Sequence, residues 1–264
     1  MSENKNHPLQ KVEKPNQSDW LKKLEQASGK PLVQGNNRSL HIQNLDVVFI
    51  FDATGSMTPY IEDVKKNLQE IIQEIKNAIP TSLISVIAYA DYPNLNAAFL
   101  TKVLDLTDDT QLIRKFINEI YTTGNDDIPE ALEVALADAT RLSWRVISKK
   151  AVIVVGDAPP HGVIDAMVQQ NDYKIEAGKL IQKEVKMYSV QCGYDNATAE
   201  SFKWLADKSG GVFLNLNNID DLKNILIGAS MKEVGLLDEY IKKLNDSKTL
   251  TDSKNQVLKQ LTGK

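Results

Sequence analysis

From Asp46 onward the chain alternates short, unbroken apolar runs with amphipathic segments. Residues 47–51 (VVFIF) form a run of strand length. Met57, Ile61, Val64, Leu68, Ile71, Ile72 and Ile75 then recur at helical spacing until Pro80 ends the pattern. Strands are predicted over 83–90 and 97–106, the second at a sheet edge because Asn94, Asn96 and Lys102 break up its apolar content. Leu112, Ile113, Phe116, Ile117 and Ile120 share a helix face, and after the polar loop 122–127 a further helix is predicted over 129–142, with Pro129 near its first turn. The remaining pattern predicts a strand over 151–155, a helix within 163–181 and a strand over 185–191. A helix through Phe202, Leu205 and Ala206 closes at Ser209-Gly210-Gly211, followed by a strand over 212–216 and a helix through Leu222, Ile225, Leu226 and Ala229. Strands apolar on both faces and alternating with helices predict an α/β fold. Its sheet is doubly wound, mostly parallel and six-stranded, flanked by helices, with one antiparallel edge strand.

The flanks read differently. Residues 1–40 are rich in Lys, Asn, Gln and Pro without sustained periodicity, which predicts a flexible tail. One short helix is expected there, with Trp20, Leu21 and Leu24 on one face between Ser18 and Gly29. Residues 231–264 predict a helical extension in two pieces, broken near 245–252 and packed back on the 41–230 domain. The 264 residues carry a formal net charge of -4, unevenly spread. Residues 41–230 hold 17 Lys/Arg against 26 Asp/Glu, an acidic balance that argues against a nucleic-acid groove. No apolar run approaches the ~18 residues of a membrane span, and the first twenty residues lack the apolar core of a secretory signal, so the cytoplasm is the expected compartment. The single cysteine, Cys192, and three histidines exclude a zinc site built from Cys pairs. A metal here must be held largely by oxygen.

In a doubly wound sheet, ligands collect at the carboxyl ends of the central strands. The first strand ends in Phe51-Asp52-Ala53-Thr54-Gly55-Ser56-Met57, which places one carboxylate and two hydroxyls at positions i, i+2 and i+4. All are hard oxygens suited to Mg2+ or Mn2+. Thr54 and Ser56 taken alone read equally well as helix caps. Two further acidic loops, Asn125-Asp126-Asp127 and Gly156-Asp157-Ala158-Pro159-Pro160-His161, come to the same edge in this topology. Each Asp alone reads as a cap or turn former. Converging, they repel one another unless a cation lies between them, and so favour a divalent metal site.

These strings resemble the von Willebrand factor type A (vWA) domain, a Rossmann-like fold, and its metal-ion-dependent adhesion site. Asp52-Ala-Thr54-Gly-Ser56 after an apolar strand looks like the family's Asp-x-Ser-x-Ser, with Thr54 keeping the first hydroxyl. Gly156-Asp157-Ala-Pro-Pro-His-Gly162 is similar to the element after the fourth strand, in the version found in bacterial members and beside some atypical kinases. Ala90-Asp91-Tyr92-Pro93 and the stretch 205–213 also resemble that subgroup. The resemblance spans about residues 44–230. It implies that Thr54 and Ser56 bind Mg2+ or Mn2+ directly, that Asp52 and Asp157 act directly or through water, and that Asp126 or Asp127 adds a contact. A carboxylate of a protein partner would complete the shell, with recognition as the output. The second loop departs from the family pattern: Asp126 stands where the family has Thr, and Thr122 and Thr123 lie earlier in the chain. A direct Asp ligand cancels more of the metal's charge, so metal binding is better supported than adhesion.

The chief rival is a Mg2+-dependent phosphohydrolase or phosphotransferase with Asp52 as nucleophile. Haloacid dehalogenases need a second Asp two residues on, where this chain has Thr54. No G-x-S-x-G elbow, phosphate-binding glycine loop or H-E-x-x-H pair occurs. His161 is expected to open a helix or line the rim, and Cys192 to be a small buried hydrophobe. Asp91 reads either as a support behind the site or as a turn former with Tyr92-Pro93. A third reading is a metal-stabilised scaffold that interacts through its tails. The expectation is therefore a non-enzymatic, metal-dependent protein-binding module with no nucleic-acid or membrane partner.

Overall fold

The computed structural model describes residues 44–92, 98–124, 129–162 and 171–262. Six strands are found among them: β1 (Leu45–Asp52), β2 (Leu83–Tyr89), β3 (Thr101–Thr107), β4 (Lys149–Gly156), β5 (Val185–Cys192) and β6 (Phe213–Leu216). They form one sheet in the order β3-β2-β1-β4-β5-β6. Every neighbouring pair is parallel except β2 with β3. This is the doubly wound sheet with one antiparallel edge strand that the sequence predicts. The winding reverses between β1 and β4, so their carboxyl ends border the crevice where ligands bind in such sheets.

The apolar runs make strands because both faces are covered. Along β1, Val47, Phe49 and Phe51 enter one core while Val48 and Ile50 enter the other. The first core is roofed by α1 (Thr58–Ala78), α2 (Thr110–Asn118) and α6 (Leu222–Glu233). The second is roofed by α3 (Leu132–Arg141), α4 (Tyr173–Gln182) and α5 (Asn196–Ser209). β3 stays partly exposed, as its broken pattern predicts.

Several boundaries differ from the sequence reading. The helix predicted over 129–142 begins only at Leu132, because the Glu130 N–H donates to Pro159 O at 3.0 Å and Glu130 bridges to Pro160. That segment is taken up by the loop after β4. The third strand starts at Thr101 rather than 97, and the helix sought within 163–181 is α4, capped by Asp172. Gly210 ends α5 in the left-handed conformation (φ 73°), as predicted. At Gly211 a Cβ would lie 1.8 Å from the Met187 carbonyl oxygen, so no side chain fits. The helix expected around Trp20 lies outside the described residues.

Residues 42–264 make one compact unit. α6 continues past residue 230 to Glu233, and α7 (Leu237–Asp246) and α8 (Asp252–Thr262) pack back against it. Leu258 and Leu261 are fully buried over Gly228, where a Cβ would lie 2.6 and 2.7 Å from their methyls. At the amino end of the sheet, fully buried Asp46 accepts from the Arg145 backbone N–H and Nε at 2.8 and 2.6 Å. The same guanidinium donates to the carbonyls of Thr81 and Leu45. No helix among the described residues is long and apolar enough to cross a membrane.

Candidate metal centre

Asp52 closes β1 and is fully buried, as is Thr54, while Ser56 is exposed. The chain leaves the strand through a 3-10 turn, Gly55–Met57, before α1 begins. Thr54 stands at the cap position of that turn but makes no side-chain cap bond. Its hydroxyl donates instead to Asp52 Oδ1 at 2.6 Å, and its N–H donates to the same oxygen at 2.9 Å. Ser56 Oγ lies 3.4 Å from Thr54 Oγ1. The cap reading of Thr54 therefore fails. Because its one proton goes to Asp52, the Thr54 oxygen keeps lone pairs for another electropositive group.

Asp157, half-buried in the loop after β4, faces this turn. Its charge helps raise Asp52, whose pKa is pushed up to about 7, chiefly by burial and against the two hydrogen bonds from Thr54. The Tyr89 hydroxyl also lowers Asp52, although it falls short of hydrogen-bonding geometry. Burial raises Asp157 as well, and the neighbouring Ser56 hydroxyl holds it down. Asp52, Thr54, Ser56 and Asp157, predicted from two separate strings, are thus brought together at the crevice.

Asp126 and Asp127 lie outside the described residues. The chain leading to them reaches the first loop: the Thr123 N–H donates to Ala53 O at 2.8 Å, and Thr122 Oγ1 lies 2.7 Å from Thr58 Oγ1. Thr123 thus touches the backbone beside Asp52 rather than its carboxylate, and Thr122 meets the hydroxyl of Thr58 at the start of α1.

Other residues of the site carry no motif. Tyr89, fully buried at the end of β2, places its hydroxyl over Gly156 and beside Asp52. His161 does not line the rim: it is buried, with Nε2 2.7 Å from Asp91 Oδ1, and the helix it was expected to open lies outside the described residues. Its own N–H donates to Glu133 Oε2 at 3.2 Å, and Glu133 Oε1 accepts from the Tyr92 hydroxyl at 2.9 Å. Asp91 is thus buried against His161, while the turn expected with Pro93 lies outside the described residues. Cys192 is buried in the core, and burial with the charges of Asp157 and Asp52 pushes its thiol far up, so it is no nucleophile.

These residues suit a small hard cation. Asp52 Oδ2 is buried without a hydrogen-bond partner among the described residues, and a second carboxylate repels it. Two carboxylates and two hydroxyls offer only oxygen, and exposed Ser56 leaves one side open. Among the described residues, no group of three or more His, Cys, Asp or Glu is placed to hold an ion. The hydroxyls and the loop through Asp126 and Asp127 would have to complete the set.

Residues 46–226 match the model of the family described as the von Willebrand factor type A domain. The chain is also similar to the alpha-protein kinase vwkA of Dictyostelium discoideum, 32% identical over 121 residues that cover 45% of this chain and 19% of that protein. A putative ariadne-like RING finger protein, R811, of Acanthamoeba polyphaga mimivirus is 32% identical over 123 residues, covering 44% of this chain and 11% of that protein. The matched region is thus a small fraction of either relative.

Proposed function

The chain belongs to the von Willebrand factor type A domain family, and from that premise we propose that it is a protein-binding module holding Mg2+ or Mn2+ at the carboxyl ends of β1 and β4. Domains of this family are typically interaction modules. Thr54 and Ser56 offer their hydroxyl oxygens to the ion, and Asp52 and Asp157 balance its charge. Asp126 or Asp127 supplies a further oxygen. A carboxylate from the partner protein completes the shell on the open side by Ser56. The output is recognition, and no residue of the site has a catalytic task.

One observation carries this reading: Asp52 is half satisfied. Oδ1 accepts two bonds from Thr54, while Oδ2 is buried with none among the described residues and lies close to a second acidic group. Leaving a buried carboxylate oxygen unpaired is costly unless something positive meets it.

The test begins with thermal unfolding of the full chain. A cation at ~100 times its dissociation constant adds ~2.7 kcal/mol, which corresponds to a rise in Tm of about 5–10 °C for a protein of this size. Asp52→Ala should abolish the rise. If neither millimolar Mg2+ nor Mn2+ shifts the wild type, and chelator has no effect, the metal site is refuted. Partner capture should then be lost equally in Asp52→Ala and in chelator. Capture that survives both would move the interaction elsewhere on the chain.

A further inference from the structure

The loop carrying Asp157 is held at its other end by buried hydrogen bonds. His161 is 5% exposed, and Asp91 and Glu133 are 3% and 0% exposed. Asp91 follows β2 and meets the imidazole Nε2; Glu133, in the first turn of α3, receives the His161 N–H. The Tyr92 ring meets the imidazole edge-on at 5.1 Å, and its hydroxyl bonds to Glu133. Buried Glu130 joins the same loop through the Pro159 carbonyl. Two buried carboxylates from two elements therefore hold His161, Asp91 at the ring and Glu133 at the backbone N–H. Between Asp157 and His161 run Ala158, Pro159 and Pro160, and the prolines restrict φ, so a displacement of His161 is carried along to Asp157.

We propose that His161 is a positioning residue: its ring, bonded to Asp91, and its backbone N–H, bonded to Glu133, fix the loop 156–162 and thereby the place of the Asp157 carboxylate. Its consequence for cation binding rests on the function proposed above; the clamp itself does not. Removing the ring takes from the buried Asp91 carboxylate the hydrogen bond it shares with Nε2, and a buried polar group left without its partner is costly.

Amide hydrogen exchange at Asp157, Ala158, His161 and Gly162 in the metal-free full chain reads the clamp directly. In His161→Gln, exchange at these amides should rise about tenfold or more, as expected when a charged buried contact is lost. Adding Asp91→Asn should restore part of the protection by removing the unpaired carboxylate. Mn2+ affinity should drop at least ~10-fold in His161→Gln.

Unchanged exchange in His161→Gln overturns the clamp. The two readings fail separately. A wild type that binds no Mn2+ while His161→Gln loosens the loop refutes the metal and keeps the clamp. Full Mn2+ binding by His161→Gln with unaltered exchange refutes the clamp and keeps the metal.

Discussion

Tyr89 and Gly156 share one volume: a Cβ on Gly156 would lie 2.7 Å from the Tyr89 hydroxyl and 3.2 Å from Asp52 Cβ. The absent side chain on β4 is what lets a tyrosine from β2 reach across the end of β1. Gly156→Ala should therefore destabilise the protein by about 1–3 kcal/mol through overpacking. Adding Tyr89→Phe, which removes the clashing oxygen, should recover part of the loss in urea denaturation. Equal stability of Gly156→Ala and wild type would show that the tyrosine has room to move.

Asp52 gives the metal-free protein a pH dependence of definite sign. Its carboxyl titrates at about 7 in the fold, against an ordinary 3.8, so between these values the folded state binds the extra proton. The associated stability is present in full below about pH 4 and is lost as pH rises through 7, with an upper bound of about 4 kcal/mol. Metal-free protein should be less stable at pH 8 than at pH 5.5. Asp52→Asn should flatten that difference, and saturating Mg2+ should remove it by taking the place of the proton. A wild-type profile indistinguishable from that of Asp52→Asn would count against the burial argument.

The pair at the opposite end of the sheet predicts a different phenotype. Asp46 is fully buried, and Arg145 supplies two of its hydrogen bonds while also donating to two backbone carbonyls. Arg145→Ala should cost about 3–5 kcal/mol, because it leaves a buried charge unpaired. Since the pair is remote from the crevice, the folded variant should keep the wild-type affinity for Mn2+ by calorimetry.

The C-terminal helices contribute to the main core. Leu258 lies over Gly228 with none of its surface exposed, so Leu258→Ala should cost about 2–5 kcal/mol. Unfolding should remain a single transition when followed by both tryptophan fluorescence and far-UV circular dichroism. A separate early transition would mean that α7 and α8 unfold on their own.

What could be read from the sequence follows from how local each signal is. Runs such as Val47 to Phe51 disclose a strand because both of its faces are covered, and that condition is written into consecutive residues. Asp52, Thr54, Ser56 and Asp157 are legible because strand ends carry them in short strings. The start of α3 is not, since residue 130 is claimed by Pro159 and Pro160 from another loop. His161 is misplaced for the same reason: its burial depends on Asp91 and Glu133, which come from two other elements. Tyr89 at the end of an apolar run looks like any strand residue, and nothing local marks Arg145 as the partner of Asp46. A hydroxyl beside a helix start suggests a cap, and only the position of the Asp52 carboxylate redirects that of Thr54.

The adjacency of β1 and β4 also has a kinetic meaning. Residues 52 and 157 are far apart in the chain, so their contact should form late, once the long crossover between β1 and β4 has closed. A cradle assembled so late is missing from partly formed molecules. An ion captured there should therefore leave the refolding rate almost unchanged and slow the unfolding rate, acting as a latch on the finished molecule rather than a seed for its formation.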